Sequence, residues 1–255
     1  MGIITEIAQP NSTVLQSSSS APIASIANDA SMLRLLQLSS ATLPVGGYAF
    51  SHGLEWALEA EWLSTSDDVI EWLSVQLTES VATLDLPILH RQCLALEQQD
   101  IPALIQWNDT VLACRESYEL RLTDTALADA MIRLLHGLSI ETDLLKTLND
   151  QSKKAHNISY VTTFAIAATH WRISPHYAAL GYAWAWLENQ VAAATKLTLF
   201  GQLSAQKAID ALMPVVEQAV NQSLLISDDD IGTSLPGLAM ASSHHETQYS
   251  RLFRS

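Results

Sequence analysis

Cysteine is scarce in this chain: Cys93 and Cys114 are the only two in 255 residues. Two thiols cannot form a disulfide framework, and they suit a reducing compartment. Glycine and proline are also few, nine and eight, while 48% of the residues are hydrophobic, which excludes a low-complexity or disordered chain. No apolar run approaches the roughly 18 residues of a membrane-spanning helix. The first residues lack the basic segment and continuous apolar stretch of a secretory signal, so the sequence predicts a cytoplasmic protein with no membrane association. Positive charge is sparse as well. The net charge is −14, and no Lys or Arg stands between Arg34 and Arg91. That balance excludes nucleic acid as a partner, because phosphate affinity needs clustered cations. Over the same stretch Glu55, Glu59, Glu61, Asp67, Asp68, Glu71, Glu79 and Asp85 predict a negative surface, either a solvated face or one suited to a basic partner.

Strand signals are missing too. What is present is helical periodicity from Asp29 onward. Ser174-Pro175 reads as an N-cap with proline in the first turn. Leu180, Ala183, Trp184, Leu187, Val191, Ala194 and Leu197 then form one apolar stripe. A second helix starts at Ser66, with Asp67 and Asp68 in its first turn and a stripe of Val69, Ile70, Leu73, Leu77, Val81 and Leu84. Asp100 caps a third helix, with Pro102 near its start. Ser204 caps a fourth, through Ile209, Leu212, Val216 and Val220, bent at Pro214. Asp228-Asp229-Asp230, Gly232 and Pro236-Gly237 mark a loop before a short last helix. The expectation is an all-α fold, a single compact globular domain of about nine or ten packed helices, with the seven Trp mostly in its core. Residues 1–28, Ser-rich through Ser17 to Ser20, read as a flexible arm, 29–243 as the helical domain and 244–255 as a C-terminal tail.

The tail is the most distinctive segment. Tyr249, Ser250, Arg251, Leu252, Phe253 and Arg254 interleave aromatic, apolar and cationic side chains, the composition of interface hot spots. It either docks on a partner or folds back on its own core. Candidate chemistry is thinner elsewhere. His90 and Cys93, at i and i+3 on a helix, could chelate a metal but lack further ligands nearby. His244 and His245 beside Glu246 are weak metal candidates in a flexible segment, with surface histidines the plainer reading. Glu55 and Glu59 share a helical face without a cleft. Arg115 and Glu119, followed by Arg121, fit an intrahelical ion pair. Lys196 lies beside an apolar stripe, where it either snorkels or serves the helix C-terminus. No phosphate-binding G-x-x-x-x-G-K-[ST] loop and no G-x-S-x-G elbow occurs.

Four segments together carry a family resemblance. They are Leu38 to Glu55, in which Pro44 stops a helix and Gly46-Gly47 permits a tight turn; Cys114 to Arg121; Leu187 to Gln190 running through Lys196 to Gly201-Gln202; and the ending His245 to Ser255. In this order and at this chain length the sequence resembles the UreF family of urease accessory proteins over roughly residues 31–255. The resemblance implies a non-catalytic helical factor needed for nickel insertion into apo-urease, a homodimer that bridges UreD and the GTPase UreG and couples GTP hydrolysis to metallocentre assembly. It implies no resident cofactor, with nickel at most passing transiently, and contact with apo-urease through UreD. Partner-binding residues would be Tyr249 to Arg254, Lys196 and Glu55. Subunit contacts would lie near Arg115 to Arg121. Thr198-Leu199-Phe200 departs from the Pro-containing pattern usual after that lysine. The rivals are a nickel-carrying metallochaperone and an enzyme with a small-molecule pocket among the helices.

Overall fold

A computed structural model describes residues 29–140, 158–232 and 234–254; the expected arm at 1–28 lies outside them. Among the described residues the structure is helical throughout, without strands. The α-helices are α1 (Asp29–Leu38), α2 (Leu54–Glu59), α3 (Ser66–Gln76), α4 (Leu86–Glu97), α5 (Ile101–Ala113), α6 (Tyr118–Gly137), α7 (Tyr160–His170), α8 (Pro175–Lys196), α9 (Gln202–Ser223) and α10 (Pro236–His245). No described helix is long and apolar enough to cross a membrane.

Local chemistry explains most of the boundaries. α3 starts at Ser66 as expected, capped by Thr65: its hydroxyl accepts from the Asp68 amide while the Asp68 carboxylate accepts from the Thr65 amide. Asp100 caps α5 by accepting from the Ala103 amide. Ser174 precedes α8 as expected, but its hydroxyl makes no cap bond, and the proline at the first helical position already removes one orphan donor. The helix predicted to start at Ser204 begins earlier, after Gly201, so Ser204 lies inside α9. Pro236-Gly237 opens α10 rather than ending a loop, and α10 runs to His245, past the expected boundary at 243.

Between α3 and α4 the helix continues as a π-helical stretch, Leu77–Asp85. Its wider turns still bury Leu77, Val81 and Leu84 as the stripe predicts. They also release carbonyls sideways: that of Thr78 accepts from the Gln222 side chain on α9, and that of Thr83 from the Gly232 amide. The π stretch therefore ends with Asp85 turned into the protein, 3% exposed. Such insertions concentrate where a side chain must be re-aimed.

α8 is the central helix. Its single predicted stripe is an underestimate, since Ala178, Tyr182, Ala185, Leu187, Gln190 and Val191 are all buried and face several neighbours. Small side chains let those neighbours approach. None of the seven Trp is fully buried: Trp56, Trp72, Trp107, Trp171, Trp184 and Trp186 pack on the edge of the core, and Trp62 is exposed.

Candidate functional site

α1 ends at Leu38, well before Pro44, and the chain turns through Gly46 in the left-handed region, φ 81°. Gly47 is needed for closeness instead: a Cβ there would meet the Asn189 side chain of α8 at 2.6 Å. This turn and α2 form the floor on which the C-terminal tail rests.

The tail is bound by its own chain. Glu55, on α2 and 7% exposed, accepts from the amide of Leu252 at 2.6 Å and from that of Phe253 at 2.9 Å. The Arg254 amide donates to the Ala49 carbonyl at 2.9 Å. The Phe253 ring, 4% exposed, enters the core under the Lys196 ammonium, which sits 4.4 Å from the ring centroid. The Arg254 guanidinium lies over Phe50. Gln248 donates to Glu59. Two consecutive amides converging on one carboxylate hold a short peptide without any secondary structure.

A buried histidine locks this arrangement. His245 has no exposed surface; its Nδ1 lies 2.8 and 3.0 Å from the two oxygens of Glu119, and its Nε2 lies 3.0 Å from Glu55. Arg251 adds a contact to Glu119 at 3.1 Å. Burial pulls the imidazole toward its neutral form, but hydrogen bonds to Glu119 and Glu55 outweigh this and raise its pKa above the usual 6.5. The Ser117 and Ser242 hydroxyls, 2.7 Å apart, tie the start of α6 to α10 beside it.

Several expectations change here. Glu55 is not a partner-facing carboxylate: its contacts are with the chain's own tail, as are those of Phe253. His245 is neither a surface histidine nor free for a metal, since both nitrogens face carboxylates, while His244 stacks on Trp56 at 4.6 Å. Among the described residues no group of three His, Cys, Asp or Glu could hold a metal ion. Burial holds His90 down to about 4 and pushes Cys93 up to about 12, and among the described residues no third ligand joins the pair. Lys196 ends α8 and is exposed apart from its contact with Phe253. Just after it Thr198 adopts φ 64°, and Phe200 is buried. Tyr249 is fully exposed and Leu252 is 51% exposed; Ser250, Arg251 and Arg254 are exposed beside them. Tyr48, in the turn that receives Arg254, is exposed too. The tail is thus both folded back and outward-facing.

The pair expected within one helix does not form. Arg115 precedes α6 and is largely but not fully buried, its side chain 14% exposed, with its guanidinium bidentate on Asp85 (2.5 and 3.3 Å) and its Nε 2.8 Å from Asp124. The Tyr182 hydroxyl donates to Asp85 at 2.9 Å, and the Tyr160 amide to Asp124. Glu119, freed from Arg115, serves His245. This ion cluster borders a cavity of about 90 Å³ where the Gln76 Nε2 and Gln190 Oε1 have no hydrogen-bond partner. Nearby His52 is held down to about 4, first by burial and then by the Arg115 charge. The sequence did contain a signal for Asp85, an acid inside the apolar run Leu84 to Leu89. Asp124, Tyr182 and the Glu119–His245 link had none.

The family model described as UreF matches residues 63–213. The urease accessory protein UreF of Marinomonas sp. (strain MWYL1) is 48% identical over 90% of this chain and 96% of its own length. UreF of Alkalilimnicola ehrlichii is 42% identical over 87% of this chain and 95% of its own length, and UreF of Pseudomonas putida (strain W619) 41% over 89% and 99%.

Proposed function

Because this chain belongs to the UreF family of urease accessory proteins, we propose that it serves urease maturation as a non-catalytic scaffold. In this reading it captures UreD through the outward face of the anchored tail and, as a homodimer, links UreD and apo-urease to the GTPase UreG. Nickel passes to urease without a resident site on this chain. The observation that carries the reading is the geometry of the tail. Its backbone and Phe253 are fixed by Glu55, while Tyr249, Leu252 and Arg254 remain presented to solvent. A peptide already ordered before binding loses less conformational entropy on association, which favours affinity. Asp85, Arg115, Asp124 and Tyr182, beside the internal cavity, are engaged with one another, which supports a structural role for this cluster.

Point substitution tests this more cleanly than truncation, because truncation also strips Glu55 of its donors. Tyr249→Ala and Leu252→Ala should each weaken UreD capture, by about thirtyfold if each is a hot spot, and leave the melting temperature unchanged. Undiminished capture by the double variant would remove the tail from the interface. Lys196→Ala should retain UreD capture, cost about 0.5–1 kcal/mol through the lost contact with Phe253, and uncouple UreG's GTP hydrolysis from nickel loading of urease.

A further inference from the structure

We infer that His245 is a proton-operated latch for the C-terminal tail, which stays seated while the imidazole carries two protons and comes away when it carries one.

The geometry requires both protons. Nδ1 faces the Glu119 carboxylate at 2.8 Å and Nε2 faces Glu55 at 3.0 Å, on opposite sides of a ring with no exposed surface. An imidazolium donates to both. A neutral imidazole keeps one N–H, so its other nitrogen turns a lone pair toward a carboxylate oxygen at hydrogen-bond distance. That contact is repulsive, and burial denies it solvent. Charge points the same way. With two protons on His245 the site holds two carboxylates, Glu55 and Glu119, against two cations, His245 and Arg251. Losing one proton leaves a carboxylate without a charged partner in a buried place, an arrangement that structures avoid.

The charged surroundings on each packed element are few. α2 contributes Glu55 and Glu59, α6 contributes Glu119, and the end of α10 contributes Glu246, whose carboxylate accepts from the Glu119 amide. The tail brings Arg251 and Arg254, and α8 brings Lys196 over Phe253. Glu55 is shared: the oxygen that meets His245 also accepts the Phe253 amide, and its second oxygen accepts the Leu252 amide. A movement of Glu55 away from a neutral ring therefore removes the tail's anchor directly. The same protons would set whether Tyr249 and Leu252 are displayed in a fixed arrangement; that consequence rests on the docking surface proposed above.

The test uses the full-length chain labelled with fluorophenylalanine, whose four Phe give four fluorine resonances, together with histidine ring NMR. Between about pH 6 and about pH 9, a range that spans histidine titration, the Phe253 resonance should move from a buried to a solvent-exposed position. Its midpoint should match that of the His245 ring signal and lie above 6.5. His245→Gln should show the exposed signal throughout. Glu55→Gln should abolish the pH response, because the amide group that replaces the shared oxygen can donate to a neutral Nε2 while its carbonyl still accepts the Leu252 amide; the bond from the Phe253 amide, which used that shared oxygen, is lost at every pH. A Phe253 signal that stays constant across the range, or that moves equally in Glu55→Gln, overturns the latch. Should His245→Gln fail to fold, the Glu55→Gln comparison still decides. UreD capture at both ends of the range separates the two proposals: release of the tail with capture undiminished upholds the latch and defeats the docking surface.

Discussion

At the scale of single residues, the charges that matter most are those that went inside. Of the eight acids between Arg34 and Arg91, Glu55 and Asp85 are buried, so the predicted negative surface is smaller than composition suggests. Each buried acid organises a separate constellation. Arg115→Ala should be the more damaging substitution, because it abandons Asp85 and Asp124 in the interior; removing one partner of a buried pair costs about 3–5 kcal/mol. Urea unfolding monitored by circular dichroism measures that loss, and a change below about 1 kcal/mol would mean the cluster is solvated in practice. Little of this was legible beforehand. Glu119 stands four residues from Arg115, and helical spacing pairs them, yet Arg115 lies outside α6 and its guanidinium turns to Asp85, 30 residues earlier. Contacts spanning 126 and 190 residues, as His245 makes, leave no periodic trace in a single sequence.

Among elements, helices announced themselves where a side chain speaks to its own backbone, as Asp100 does at the start of α5 and Asp68 does beside Thr65. Where the boundary depends on tertiary contact, the pattern slipped by a few residues, as at Ser204 and at Pro236. The π-helical stretch was invisible, because its apolar spacing of Leu73, Leu77, Val81 and Leu84 suits an α-helix equally well. The tail shows the limit most sharply. Its composition fits either a docking peptide or a segment folded back on the core, and only the positions of the Glu55 and Glu119 carboxylates reveal that it is an internal brace. Deleting residues 249–254 should therefore lower the melting temperature as well as abolish UreD capture, the two outcomes that the sequence offers as alternatives. Phe253 alone contributes about 1.5–3 kcal/mol by burial. An unchanged melting temperature would show that the tail is seated too weakly to brace anything.

For the whole molecule, histidines set opposite edges of a stability window. His52 and His90 are neutral in the fold with pKa values near 4, so the unfolded chain takes up their protons first, and stability is lost as pH falls from about 6.5 toward 4. His245 has the reverse sign: its contribution is complete below 6.5 and disappears as pH rises through its higher folded value. Urea midpoints should therefore peak near neutrality and fall on both sides, and His245→Gln should flatten the alkaline side alone. A monotonic profile would contradict this balance. The seat of the tail also has a consequence in time. Glu55 and Phe253 are 198 residues apart, so a ribosome adding roughly 5–20 residues per second emits the second some 10–40 s after the first. Through that interval α2 must wait with its carboxylate hydrated and its pocket open, whatever the helices between have achieved. Assembly thus acquires an order: the tail cannot be seated, nor its outward face held in place, until the ribosome has passed Phe253, long after α2 has emerged.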